Sequence, residues 1–424
     1  MKEILFPYGK TKLAYTFGEE LAGVLTTELE HYVPEAGSAE LVEKALENPI
    51  GTLPLKELAK GKKNIVIIAS DHTRPVPSKV ILPPMLREIR SASPDAEITI
   101  LIATGCHRET TRQELVDKFG PEIVEREHIY IHDCDEREKL RNIGTLPSGG
   151  ACEINTLALN ADLLLAEGFI EPHFFAGFSG GRKSVLPGIA GRETVLSNHC
   201  SEFIDSEYAR TGILEQNPIH EDMLWAAKQA KLAFIVNVVL DGEKNAIYAV
   251  AGDPENAHKA GVEFLTRLCG AKAVDADVVI TTNGGYPLDQ NMYQAVKGMT
   301  AAEATVKKDG VIVMLAKSND GIGGDHFYHQ LADEPDIEKT MAVFRSRSRK
   351  ETVPDQWQTQ ILLRILQYAK VVYVSEMEDE PVRKMHMYPA HSIAEALELA
   401  RKLLGKEEMK IAAIPDGVSV IVRK

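Results

Sequence analysis

The order of segments predicts an α/β protein of two domains, each a mainly parallel sheet flanked by helices, with the active site in the cleft between them. Three observations carry this expectation. Short apolar runs of strand length alternate with helical patterns through the first two-thirds of the chain. A second series of the same kind begins after Leu268-Cys269-Gly270. A chain of 424 residues is also longer than one hydrophobic core usually organises.

In the first series, residues 64–70 (NIVIIAS) read as a buried strand, and residues 78–90 as a helix with Pro83 and Pro84 near its start. Residues 97–104 (EITILIAT) are the next strand. Thr111-Arg112-Gln113-Glu114 is a capping-box pattern, opening a helix that ends near Gly120-Pro121. Residues 161–166 and 233–240 supply a third and a fourth strand. In the second series, 277–282 (DVVITT), 310–316 and 371–375 read as strands, and 290–306 as a helix. Residues 392–404 form an amphipathic helix, apolar at Ile393, Ala396, Leu397, Ala400 and Leu403. The expected division is therefore 1–270 and 271–424, with a last strand at 418–422 that could pack on either domain.

The net charge of −14 argues against nucleic acid, which needs clustered basic residues. No apolar run approaches the roughly 20 residues that span a bilayer, so no membrane partner is expected. Five scattered cysteines with no C-x-x-C pair do not read as a disulfide framework. With no secretory signal visible at the N-terminus, a reducing cytoplasm is the expected setting.

Ligands of open α/β sheets bind beyond the carboxyl ends of the strands. Four predicted strand ends carry glycine or reactive polar residues: Asp71-His72-Thr73-Arg74-Pro75, Gly105-Cys106-His107-Arg108, Glu167 to His173, and Asn283-Gly284-Gly285-Tyr286. The densest stretch is EPHFFAGFSGGRKS, residues 171–184. Gly180 and Gly181 allow positive φ and close approach. Their N–H groups, with Arg182 and Lys183, suggest a nest for a phosphate or carboxylate. An isolated GGRK would more often be a solvated turn; here His173 precedes it and His199 follows. Arg182 stands where a P-loop needs its second glycine, and no G-x-G-x-x-G follows a strand, so nucleotide hydrolysis and ordinary nicotinamide chemistry both lose weight. His128, His132, His326 and His329 lack supporting context. His107, His173 and His199 have it, and suggest acid–base chemistry or metal ligation.

At these residues the sequence resembles the nickel-dependent lactate racemase family. The matching segments are DHTRP (71–75), GCHRE (105–109), EPHFFAGFSGGRKSVLPGIAG (171–191), the SNH ending at His199, and NGGYPLDQNMYQAVKG (283–298). They lie on both expected domains. The resemblance implies a nickel pincer cofactor, a pyridinium mononucleotide with two sulfur-bearing arms, made by dedicated cofactor-synthesis enzymes. It implies that Lys183 attaches this group through a thioamide, or holds it non-covalently as in some relatives, and that His199 completes the nickel coordination. His107 and His173 match the paired acid–base histidines, and Asp71, His72, Thr73 and Arg74 a cofactor-contacting loop. Gln294 and Lys297, with Arg74, are implied to contact the substrate, and Tyr293 and Trp357 to line its pocket.

The implied reaction inverts a small 2-hydroxy acid, lactate first. One histidine takes the hydroxyl proton while a hydride leaves C2 for the cofactor ring, and the hydride returns to the other face. Malate, phenyllactate or a sugar acid are alternative substrates. A non-catalytic cofactor-binding protein is the alternative class.

Overall fold

The computed structural model describes residues 1–423. The first sheet has six strands in the order Ala246–Gly252, Leu232–Leu240, Leu163–Phe169, Asn64–Ser70, Glu97–Ala103, His128–Ile131. Only the Ala246–Gly252 edge runs antiparallel. The second sheet also has six strands, all parallel: Tyr388–Ala390, Lys370–Val374, Val306–Leu315, Ala276–Thr282, Ile411–Ile414 and Leu21–Val24.

Each central strand is buried on both faces, which is why its sequence is continuously apolar. Successive side chains still separate by face. Ile65, Ile67 and Ala69 pack with Ile81, Leu82 and Met85 of the helix Ser78–Ala92. Val66 and Ile68 point the other way, into a core that also holds Val279, Ile312 and Met314 of the second sheet. One apolar core therefore runs between the two sheets. Full burial of each such side chain contributes roughly 1.5–3 kcal/mol, so the two halves are firmly joined on that side.

Local signals act where the sequence places them. The Thr111 hydroxyl accepts the Glu114 N–H at 3.3 Å, and the Glu114 carboxylate accepts the Thr111 N–H at 2.8 Å. The helix ends at Phe119 because Gly120 turns to φ +87. Pro83 and Pro84 lie inside their helix rather than in its first turn.

The expected 1–270 domain needs a correction at its start. Lys2–Tyr8 and Thr11–Phe17 form a hairpin whose Phe6 and Phe17 pack on the outer face of the second sheet, and Leu21–Val24 is that sheet's edge strand. A short alternating hairpin carries no mark of which sheet it will cover. The last strand, Ile421–Arg423, pairs in parallel with Gly270–Lys272, the segment that joins the two halves. Ile421 also packs against Gly212 of the first half, where a Cβ would come within 2.7 Å. All five cysteines are free. No helix among the described residues is long and apolar enough to cross a membrane.

Candidate active site

The turn after strand Asn64–Ser70 is built around Asp71, which is buried. Its Oδ1 accepts the Thr73 N–H at 3.1 Å and the Thr73 hydroxyl at 2.7 Å, closing a tight Asx turn. Behind it, buried Glu167 accepts the Ser70 N–H and the Ser78 hydroxyl, and Lys118 Nζ donates to the Arg74 carbonyl. Asp71 Oδ2 lies 2.7 Å from His107 Nδ1. Burial pushes the Asp71 carboxyl up, but the His107 hydrogen bond and charge, with Thr73 and Arg74, hold it below its usual value. Accepting from Nδ1–H fixes the His107 tautomer and leaves the Nε2 lone pair free. The His107 side chain is 44% exposed, so that lone pair is within reach of a ligand. His72 is engaged elsewhere: its Nδ1 lies 3.0 Å from the Thr110 hydroxyl.

His173 sits in a two-residue strand paired with Gly177–Phe178. Its Nδ1 accepts the Ala176 N–H at 3.2 Å, so the neutral ring carries its proton on Nε2, which lies 3.3 Å from Lys183 Nζ. Phe174 stacks on the ring and Phe175 meets it edge-on. Burial first, then Lys183, Lys297, Arg74 and His199, hold His173 well below its ordinary pKa. Lys183 is likewise held well below its own by burial, then by Arg182 and Arg74. In its neutral form the Lys183 amine accepts from His173 Nε2–H.

The glycine-rich turn is built differently from the expected nest. Gly180 and Gly181 have φ of +78 and +53, as close approach demands. However, the Gly181 N–H is taken by Asn237 Oδ1 at 2.8 Å. Arg182 is no surface anion ligand either. It is buried, and its guanidinium donates to the carbonyls of Ala176, Phe178 and Gly180 and faces His258. Arg182 therefore shapes the loop that brings His173 to Lys183; of the two basic residues, only Lys183 faces the site.

His199 caps the helix Arg192–Asn198. Its Nδ1–H donates to the Val195 carbonyl at 3.0 Å, which turns the Nε2 lone pair outward between the rings of Phe175 and Trp357. Burial, then Lys183, pushes its pKa down to about 3, so this lone pair stays available. A metal-bound histidine is commonly oriented in this way by its second nitrogen.

The second half contributes the helix Met292–Glu303, capped by the Asn291 side chain on the Gln294 N–H at 3.0 Å. Gln294 and Lys297 are three apart and share one helical face. Lys297 Nζ lies 5.9 Å from the Phe174 ring centroid, so it reaches the first half's loop. Burial, then Arg74, lowers its pKa to about 8, against the opposing charge of Glu171. Tyr293 donates its hydroxyl to Asp355, two residues before Trp357, and packs edge-on against Phe327. Residues from both halves thus meet at one place.

Sequence reasoning passed over Glu171 as a charge. Burial pushes its carboxyl up and the charges of Arg74 and Lys297 oppose that shift, so cations gather at this side chain and suit an anionic ligand. Its position two residues before His173 was the available signal. Asn237 and His258, which hold the glycine turn, had none. His132 is structural, buried between the Ala190 carbonyl and Asn155, and His329 pairs with Asp333 on the surface.

His199 presents an oriented, neutral imidazole lone pair suited to a metal. The one group of three candidate ligands among the described residues, Asp133, Cys134 and Asp135, lies elsewhere. A metal bound at His199 must therefore arrive on a group that brings its own donors, and the surrounding cations suit a group that carries phosphate or carboxylate. The residues fit such a cofactor.

Comparison with known proteins agrees with this geometry. Residues 8–212 match the model of the lactate racemase N-terminal domain, and residues 271–422 that of the lactate racemase C-terminal domain. The chain is 54% identical over 426 residues to a lactate racemase of Thermoanaerobacterium thermosaccharolyticum, and 53% identical over 425 residues to one of Lactiplantibacillus plantarum, covering 100% of each chain in both cases. It superposes on the apoprotein structure of the Thermoanaerobacterium enzyme with a TM-score of 0.96 over 100% of both chains. A Thermotoga maritima protein, 19% identical, shares the fold alone, with a TM-score of 0.64 over 92% of this chain and 100% of its own. The chain belongs to the lactate racemase family.

Proposed function

We propose that this protein is an isomerase that interconverts the enantiomers of lactate, with His107 and His173 as the two acid–base groups. The observation that supports the reading is a shared neighbour: Arg74, on the Asp71 turn that holds His107, also acts on His173, Lys183 and Lys297 of the second half. A hydroxyl proton on one enantiomer points to one side of the bound acid, and on the other enantiomer to the opposite side, so two bases are needed.

His107 takes the proton at Nε2, and Asp71 stabilises the imidazolium that forms. Lys297, Gln294 and Arg74 hold the substrate carboxylate, with Arg74 Nη1 steadied by the Thr73 hydroxyl at 2.8 Å. Tyr293 and Trp357 limit the space at C2 and exclude water. As a base, His173 needs Nε2 without the proton that the Ala176 N–H on Nδ1 now fixes there, so the ring must turn away from Ala176; bonding Lys183 through its nitrogen removes the acceptor that holds the present orientation. The residues supply no destination for the C2 hydrogen and its electron pair. A nickel pincer pyridinium mononucleotide, held by Lys183 and the Asp71–Arg74 loop with His199 on the metal, supplies a reversible hydride acceptor there. Its supply depends on cofactor-synthesis enzymes in the host. The two halves divide at the segment near residue 270, and five free cysteines suit a cytoplasmic setting.

The test is the loaded protein incubated with L- or D-lactate and no added nicotinamide. Both should run to the racemate, with nickel present by elemental analysis. Full activity in metal-free protein would defeat the reading. A panel of malate, phenyllactate and sugar acids, resolved by chiral chromatography, decides whether lactate is the preferred acid.

A further inference from the structure

Cys106 and Cys134 take no part in the chemistry above, yet they are placed for chemistry of their own. They follow neighbouring parallel strands, Glu97–Ala103 and His128–Ile131. The last register pair of the two strands is Ile102↔Ile131, and Cys106 and Cys134 stand four and three residues beyond it, in the turns that follow. The strand tips are tied together: the His132 N–H donates to the Ile102 carbonyl at 3.1 Å, and the Thr104 hydroxyl to the His132 carbonyl. Adjacent strands lie about 4.8 Å apart, within the roughly 4.4–6.8 Å Cα separation that a disulfide spans. The two thiols are neighbours, and each acts on the other's titration.

Their surroundings differ. Cys106 is partly exposed and Cys134 is buried. The neighbouring Cys134 thiol and the Arg192 guanidinium hold the Cys106 thiol below its ordinary value against its burial, whereas burial pushes the thiols of Cys152, Cys200 and Cys269 up. Cys106 is thus the accessible, more acidic thiol and Cys134 the resolving thiol beside it. Metal binding at this place is disfavoured. Both Asp135 oxygens are taken by Arg192, at 2.8 and 2.7 Å, and Asp133 Oδ1 accepts the Asp135 N–H at 2.9 Å.

We propose that Cys106 and Cys134 form a disulfide under peroxide, and that this bond switches the enzyme off by displacing His107. The Cys106 thiolate attacks one oxygen of hydrogen peroxide, the O–O bond breaks, and the departing hydroxide takes up a proton to become water. Cys106 is then a sulfenic acid. The Cys134 sulfur attacks it, the S–O bond breaks, and a second water leaves with the Cys134 proton. Two thiols are oxidised and one peroxide is reduced to two waters. His107 is the next residue in the chain, and its 2.7 Å bond to Asp71 fixes its place. Drawing Cys106 toward Cys134 moves that imidazole, and a displacement of about 1 Å at a reacting group costs on the order of a hundredfold in rate.

The loss of activity rests on His107 being a base; the disulfide itself does not. The test exposes loaded enzyme to hydrogen peroxide, alkylates it without reductant, and maps the peptides by mass spectrometry. The expected result is a cross-linked peptide pair holding Cys106 and Cys134, with racemisation reduced about a hundredfold and restored by dithiothreitol. C134S and C134A should keep their activity through the same exposure. No cross-linked pair in the wild type overturns the proposal, as does a cross-linked enzyme of full activity, or equal loss in the Cys134 variants. An untreated enzyme without racemase activity is instead a failure of the function proposed above, and the peptide map still decides the disulfide.

Discussion

The two histidines proposed as acid–base groups stand in opposite kinds of environment. His107 is half-exposed and backed by a buried carboxylate, while His173 is buried among cations and aromatic rings with a backbone N–H on its Nδ1. Asp71 fixes the proton of His107 on Nδ1; Ala176 fixes that of His173 on Nε2. A racemase must nevertheless treat its two substrates with equal efficiency. Enantiomers have equal free energy, so kcat/KM must be the same in both directions at every pH. Unequal bases can therefore differ only in how each direction divides that ratio between kcat and KM.

The largest effect that sharpens this comparison is removal of either ring. H107A and H173A should each lower kcat/KM by about a thousandfold or more, equally for L- and D-lactate, because each turnover uses one ring as base and the other as acid. Initial rates by chiral chromatography check this. A variant that retained wild-type rates in both directions would remove that histidine from the chemistry.

Next is D71N, which touches only one side. An amide at Asp71 faces Nδ1 with either end, loses the charge that stabilises the imidazolium, and permits the wrong tautomer. A fall of about a hundredfold or more in kcat is expected, with circular dichroism unchanged. His173 has no equivalent carboxylate on its ring, so E171Q should behave differently. In its ionised form Glu171 offsets Arg74 and Lys297, so the amide raises the attraction for an anionic substrate. KM should fall several-fold at low ionic strength, with a smaller change at high salt. A KM that rises on E171Q would show that Glu171 orients the cations rather than offsets them.

Sequence and structure part company at definable places. The continuous apolar strands, the Thr111–Glu114 box and the glycines at 180 and 181 act through local geometry, and local geometry is written in adjacent residues. The clustering of His107, His173 and His199 followed from their positions after predicted strands. What the sequence does not display is pairing at a distance. Asp71 reaches His107 across 36 positions, and Asn237 reaches Gly181 across 56. Arg182 looks like an anion ligand because it stands beside Lys183, but the three carbonyls it binds exist only once the loop has folded. The N-terminal hairpin covers the second sheet for a similar reason: its apolar face fits either sheet, and only the completed core decides.

The smallest effect concerns stability, and it extends the comparison to histidines outside the reaction. His199, His132 and His258 are buried, His173 and His220 are part-buried, and all five hold pKa values below the ordinary one, with desolvation the first cause in each case. For a base with a lowered folded pKa, the unfolded chain binds the proton first. Stability is then complete above the unfolded value near 6.5 and is lost as pH falls from there toward the folded value, about 3 for His199 and His220. Each such group gives a slope of up to about 1.4 kcal/mol per pH unit, so the cofactor-free chain should weaken well before its carboxylates titrate. Urea melts from pH 7.5 to pH 5 check the onset. The paired comparison is H258N against wild type: His258 lies against Arg182 and the Ser179 carbonyl, outside the reacting groups. The variant should be less stable at neutral pH yet lose stability less steeply in acid, by the slope of one proton. Equal slopes would mean that this ring is already solvated in the folded chain, and that the loop carrying His173 and Lys183 is held by Arg182 and its carbonyls alone.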